Sequence, residues 1–268
     1  MSQTILSLDN VTKTFGGLTV IADVSLTIET GSRVALIGPN GAGKTTIFNL
    51  ISGFYQPTEG DIRLEGQSIC TVASRKRIGL GIARSFQNIR LMPHLSVVEN
   101  IMLGQQARAG GVVDMLTPLS LFGRSRWRRE AEELLGEMGV STYPGEVVAT
   151  LPYGIRKKIE VVRALMARPR LLLLDEPAAG LNPSETDNLT EFLMRISATG
   201  VTLLIVEHDM ALVRRLCEHA IVLNFGRKIY DGPTARVQED QQVLEAYLGP
   251  RQAGMHLPAA QMEADHVA

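Results

Sequence analysis

Cysteine, tryptophan and surplus charge are all scarce in this chain, and each scarcity excludes something. Only Cys70 and Cys217 occur in the 268 residues. They stand alone, without metal-ligand spacing, so we expect neither a thiolate metal site nor a disulfide framework. Both read as idle thiols in a reducing compartment. Lysine and arginine total 27 against 28 for aspartate and glutamate, a net charge of −1. That balance gives no basic footprint for a nucleic-acid partner. Hydrophobic residues make up 45% of the chain, yet no apolar run approaches the roughly 20 residues that cross a bilayer. If the protein serves a membrane process, another chain must provide the membrane part. The N-terminal MSQTILSLDN has no basic region followed by an apolar stretch, so no secretory leader is expected. No internal repeat is visible.

What is present begins with GPNGAGKTT at 38 to 46. Gly38, Gly43, Lys44 and Thr45 fit the spacing G-x-x-x-x-G-K-[ST]. Glycines let the backbone of Gly38, Pro39, Asn40, Gly41, Ala42 and Gly43 wrap around phosphate oxygens, with every N–H but the one Pro39 lacks available to turn inward. Lys44 would reach the β- and γ-phosphates, and the Thr45 hydroxyl, beside Thr46, would ligate Mg²⁺. A helix starting here aims its positive end at the same anion. The preceding RVALI (33–37) reads as a buried parallel strand. This order implies a bound nucleoside triphosphate that the chain can break.

The rest of the chain sorts into strand-like and helical stretches. Residues 5 to 30 read as two or three antiparallel strands, turned at Gly16-Gly17, and GDIRLEG (60–66) as a hairpin strand. From about 90 to 165 the patterning is helical. LSVVENIMLG reads as a helix capped by Ser96, with Glu99 closing a capping box. Residues 105 to 125 are irregular, and 126–139 form an amphipathic helix ended by glycine. Strands return at LLLLD (171–175) and VTLLIV (201–206), then as two short strands around Gly226. A last helix spans about 240 to 248, and 250–268 reads as a loose tail.

Several residues carry candidate chemistry. Asp175 ends a buried strand and would face the crevice where α/β sheets bind ligands, in a position to hold Mg²⁺. Glu176 could orient and activate a water attacking the γ-phosphate. The competing reading makes the two acids an N-cap pair before a helix. His208, just past VTLLIV, would face the same crevice and contact the γ-phosphate; Glu207 reads as a solvated neighbour. Gln87 could share Mg²⁺ or the attacking water; the competing reading is an ordinary loop glutamine. Phe15, at a turn, either stacks on adenine or packs a small core. The helix in LPYGIRKKIEVVRALMARP (151–169) has an apolar stripe of Ile155, Ile159, Val162 and Met166. Arg156, Lys157, Glu160 and Arg163 lie opposite and read as a solvated face. Gly154 leaves amides open at the helix start to an anion that need not belong to the same chain.

In this order the motifs resemble the ATP-binding cassette ATPases. The likeness covers about residues 4 to 249 and rests on GPNGAGKTT, Gln87, the LPYGI segment, LLLLDEP, AAGLN (178–182) and His208. It implies an α/β fold, a P-loop NTPase (RecA-like) core with an antiparallel β subdomain and an α-helical subdomain. The core with its β subdomain would take about 4–89 and 166–249, and the helical subdomain 90–165. The resemblance also implies ATP and Mg²⁺ as cofactors, with Thr45, Gln87 and Asp175 holding the metal and Phe15 under the adenine. Two cassettes would pair head to tail, the signature segment of each closing on the other's ATP. Closure and reopening would drive two transmembrane permease subunits. ARSFQNIRL, the tyrosine of LPYG, DEPAAGLNP and VEHDM look like the branched-chain amino-acid importers' ATPases, the subunit with the longer insert before its signature. Urea or short-amide importers share this look, and the lipopolysaccharide-export ATPase shares part of it. A soluble cassette acting on ribosomes or DNA, or a subunit that binds ATP and barely hydrolyses it, are the other classes.

Departures from the family pattern fall in the trans segment. Where LSGGQ is usual, Pro152 replaces serine, Tyr153 the first glycine and Ile155 the glutamine; Gly154 is kept. Pro152 lacks both the hydroxyl and the backbone N–H. Asn182 stands where the family has an aspartate that faces the partner. We therefore expect an intact P-loop and a weaker site where this signature meets a partner's ATP. The expected setting is the cytoplasmic face of a bacterial inner membrane, with a second ABC ATPase subunit, the permeases and, indirectly, a periplasmic solute-binding protein. Met92-Pro93-His94-Leu95 is the candidate permease contact. Trp127 with the arginines at 124 to 129 reads as a solvated amphipathic helix, with lipid or permease contact as the alternative.

Overall fold

Apolar runs and tight glycine turns set the architecture. A computed structural model describes residues 3–85, 89–107 and 126–248. The described chain falls into two compact units, one drawn from Met1–Ser74 and Thr202–Ala268, the other from Arg75–Val201.

The first unit contains two sheets. Strands β1 (Thr4–Phe15) and β2 (Leu18–Glu29) pair antiparallel, and β1 also pairs with β4 (Glu59–Leu64), which carries the short β5 (Gln67–Ser68). In β2 burial alternates around Val24, Leu26 and Ile28, as in a sheet with one face on a core. The second sheet is built on β3 (Arg33–Ile37). It lies parallel to β8 (Thr202–Val206) on one side and β9 (His219–Asn224) on the other. Strand β10 (Arg227–Pro233) closes that edge antiparallel to β9. Val34 to Ile37 and all of β8 are buried, so these strands are continuous hydrophobic runs. Helices α1 (Lys44–Ile51), α7 (Met210–Leu216) and α8 (Gln241–Leu248) complete this unit.

The short helix α2 (Ser74–Arg77) marks the division in sequence. Beyond it, β6 (Ile82–Arg84) runs parallel to β7 (Leu171–Asp175), with Arg84 opposite Leu173. Helix α3 (Val97–Met102) has the expected capping box. The Ser96 side chain accepts from the Glu99 amide, and the Glu99 carboxylate accepts from the Ser96 amide at 2.8 Å. Helices α4 (Arg126–Glu137), α5 (Tyr153–Leu165) and α6 (Pro183–Ala198) follow, and α3 and α4 pack against α5.

Three readings need correction. Trp127 is no surface residue. It is 2% exposed in the core beside α4, with the Arg126 guanidinium 4.2 Å from its ring, because it is the largest apolar group on the inward face of that helix. The polar side of α5 is no solvated face either, since Lys157 and Glu160 are 4% and 2% exposed. Helix α5 is packed on more than one side, and its buried charges have partners. Glu207 is likewise buried rather than solvated, because it follows the fully buried β8 directly. Gln87, the 250–268 tail and the insert from 108 to 125 lie outside the described residues.

Candidate functional site

The chain leaves β3 at Ile37 and enters the glycine loop. Gly38 has φ 147°, and a Cβ there would lie 2.1 Å from the Leu223 carbonyl oxygen, so only glycine fits against β9. Gly43 is left-handed at φ 103° and forms the N-cap of α1; a Cβ there would meet Ile21 Cδ1 at 2.5 Å. Between them the Ala42 amide donates to the Pro39 carbonyl at 3.1 Å. The β9–β10 turn holds the loop from outside. The Gly226 amide donates to Ala42 O at 3.0 Å, and the Ala22 amide to Gly226 O at 2.9 Å.

Lys44 folds back over this loop, donating to Gly38 O at 2.5 Å and Pro39 O at 3.0 Å while its side chain stays buried. Asn40, Gly41 and Thr45 are exposed, and Pro39 and Thr46 half-buried. Helix α1 has no acidic residue in its first turn, so nothing within it competes for an anion at its positive end. The loop is an anion cradle with a cation already inside it.

Two more groups in the first unit were missed by the sequence reading. Tyr247 on α8 bonds the backbone of Gly38; burial pushes its phenol up to about 12, against the opposing pull of that bond. Tyr55 meets Phe15 edge-on, with centroids 5.0 Å apart and planes at 75°. Phe15 itself ends β1, 38% exposed, with the Lys13 ammonium 4.8 Å from its ring centre. The Gln56 carbonyl accepts from that ammonium at 2.8 Å. An exposed ring braced at its edge by another aromatic can stack against a planar group. His208 is half-buried past β8, and its amide donates to Glu207 Oε2 at 3.1 Å. Asp209 then caps α7 by accepting from Ala211 and Leu212.

The second unit carries the two acids. Asp175 ends β7, and its Oδ2 accepts from Arg84 Nη2 at 2.6 Å. Glu176 is a non-glycine residue at φ 48°, a conformation that costs free energy and turns the chain sharply out of the strand. Its carbonyl accepts from the Ala179 amide at 3.1 Å and from Lys157 Nζ at 3.5 Å. The competing N-cap reading fails here. Helix α6 starts at Pro183, capped by Asn182, whose Oδ1 accepts from the Glu185 amide at 2.9 Å while Glu185 Oε2 accepts from the Asn182 amide at 3.0 Å.

Helix α5 begins with Pro152 as its exposed N-cap, offering no side-chain bond. Tyr153 follows, 37% exposed, with the Arg156 and Lys157 cations 5.8 and 5.6 Å from its ring centre. Gly154 lies against Glu185: a Cβ there would sit 3.0 Å from Glu185 Oε1. One turn further, Glu160 Oε1 accepts from the Arg90 amide at 3.3 Å and from Arg163 at 3.4 Å. Arg163 Nη1 in turn donates to the Arg90 carbonyl at 2.6 Å. Both backbone groups of Arg90 are therefore gripped by one helix.

A family model described as ABC transporter matches residues 21–179. This chain belongs to the ABC transporter family. The cassette is 41% identical to the high-affinity branched-chain amino acid transport ATP-binding protein BraF of Pseudomonas aeruginosa, over 93% of this chain and 99% of that protein. Identity to LivG of Escherichia coli, which carries the same description, is 36% over 93% and 99%. Among solved structures, the ADP conformation of an ATP-binding cassette from an ABC transporter superposes with a TM-score of 0.80. It is 28% identical and covers 92% of this chain and all of that one. The cassette is thus an ATPase with the α/β P-loop NTPase fold, and it binds nucleotide. No helix among its described residues is long and apolar enough to cross a membrane.

Proposed function

We propose that this cassette is an ATPase subunit of a bacterial importer of branched-chain amino acids, working at the cytoplasmic face of the inner membrane. The observation that carries the chemistry is the loop from Gly38 to Gly43, shaped by backbone contacts, with Lys44 drawn inside. Phosphate oxygens would take over the Lys44 ammonium from the loop carbonyls and accept from the amides of residues 40 to 46. Phe15 stacks the adenine. Glu176 is the general base that orients water, His208 contacts the γ-phosphate, and Gln87 shares that water or the metal. The Thr45 hydroxyl, the Gln87 amide and the Asp175 carboxylate are hard oxygen donors of the kind Mg²⁺ takes. Bound by them, Mg²⁺ would offset phosphate charge.

The identity to BraF and LivG supports the solute. By the same reading the cassette pairs with a second ABC ATPase subunit and drives two permeases, fed indirectly by a periplasmic binding protein. Pro152, Tyr153, Gly154 and Asn182 face the partner's ATP, and Met92 to Leu95, where Met92 is half-exposed, contact a permease. Reconstitution with the permeases that co-purify with it tests the proposal. ATP-dependent uptake of leucine, isoleucine or valine is expected; uptake of urea or a short amide alone overturns the solute. A second reading, lipopolysaccharide export, is favoured by 33% identity to LptB of Haemophilus influenzae over 91% of this chain. Co-purification with export permeases in place of import permeases would select it.

A further inference from the structure

Asp175 does not end its strand alone. Arg84, on the neighbouring parallel strand, stands opposite Leu173. Cross-strand partners share a sheet face, and so do residues two apart on one strand, which puts Arg84, Leu173 and Asp175 on the same face. The guanidinium reaches forward along the ladder and takes Asp175 Oδ2 at 2.6 Å. The two side chains are 10% and 11% exposed, so water contributes little to holding either charge. The backbone is fixed at the same place, since the Ser85 amide donates to Leu173 O at 2.9 Å.

We propose that Arg84 is the positioning residue of the metal carboxylate; this rests on reading Asp175 as that carboxylate. Arg84 holds one oxygen and leaves Oδ1 for the metal or for a water bound to it. The acid thus engages the cation through one oxygen, from a direction set in advance by the β6–β7 ladder. Before Mg²⁺ and nucleotide arrive, Arg84 supplies the hydrogen bond that holds the buried carboxylate in place. Groups that orient a metal ligand commonly govern metal affinity by about 10- to 100-fold.

The sign of the effect separates positioning from simple charge. Arg84 is itself a cation, so removing it should tighten Mg²⁺ binding if only Coulomb repulsion mattered. If Arg84 positions the acid, removing it weakens Mg²⁺ binding instead. The test uses the whole chain and a fluorescent ATP analogue, titrated with Mg²⁺ and separately measured in EDTA. Arg84→Met should raise the Mg²⁺ concentration at half-saturation about tenfold, and Arg84→Lys about threefold. Nucleotide affinity in EDTA should stay within about twofold for both. An unchanged or lowered Mg²⁺ midpoint overturns the proposal, as does an EDTA affinity that falls in step. If Arg84→Met does not fold, Arg84→Lys decides by the same criteria. Asp175→Asn, run alongside, separates the two claims: a midpoint it does not move removes Asp175 as the metal carboxylate, and the proposal with it.

Discussion

The loop at Gly38 and the turn at Asp175, to which the proposed function gives one chemistry, are held in opposite ways. In the first unit the holding is done by backbone. Glycines touch neighbouring strands where no Cβ fits, and carbonyls and amides close the loop. In the second unit it is done by buried charge. Arg84 grips Asp175, Lys157 reaches the Glu176 carbonyl, and Glu160 with Arg163 grips Arg90. A steric cradle tolerates changes of pH and salt and fails when a methyl is added. A charge network tolerates added bulk at its rim and fails when one partner is neutralised, because a buried ion is then left uncompensated.

That contrast can be broken at four places. The largest effect is expected at the acid after the strand. Glu176→Gln should keep ATP binding and lower kcat by about 10³-fold, trapping a closed dimer visible by size-exclusion chromatography in ATP; hydrolysis at the parent rate would remove Glu176 as the base. Next comes the steric side. Gly38→Ala drives a methyl into the Leu223 carbonyl and should cost about 3 kcal/mol in urea unfolding, independent of pH between roughly 6 and 9, where carboxylates and lysines both keep their charge. A cost below about 1 kcal/mol would mean that the loop is softer than its contacts imply.

The charge side should yield somewhat less. Glu160→Gln leaves Arg163 half-buried without its carboxylate and should cost about 2 kcal/mol in the same unfolding experiment. If Glu160→Gln proves as stable as the parent, the grip on Arg90 is not held by charge. The smallest effect belongs to a half-buried local device. Hydrogen bonds from the Ser96 hydroxyl and amide hold Glu99 below its ordinary value of 4.5. A depressed carboxylate stabilises the fold above its unfolded value and loses that contribution as pH falls through the folded one. Glu99→Gln should therefore cost about 0.5–1 kcal/mol at pH 7, and the cost should shrink as pH drops from about 4.5 downward. A cost constant down to pH 3 would count against the box.

How much could be read in advance followed the same division. The glycine loop, the strand before it and the capping box at Ser96 are local, and each was visible as spacing along the chain. The second box at Asn182 was also visible in principle, since N-P-S-E has the cap, the proline at the first helical position and the acid at the third. Lys157, Glu160 and Glu207 read as solvated groups in the sequence because a charge on a helix or after a strand usually is one. Their burial depends on what packs above them, and no periodicity encodes that. Tyr247 lies about 200 residues after the glycine it bonds, and nothing near Tyr247 in the chain announces it.

By itself the sequence determined that a glycine loop follows a buried strand, that two acids come at the end of another, and that helices separate them. Those features rest on steric and hydrogen-bonding rules acting within a few residues. Only the tertiary structure decided that Arg84 meets Asp175, that α5 grips Arg90, and that Gly226 and Tyr247 brace the loop. Such pairings join residues distant along the chain, and their strength comes from the exclusion of water, which exists only once the strands and helices have packed.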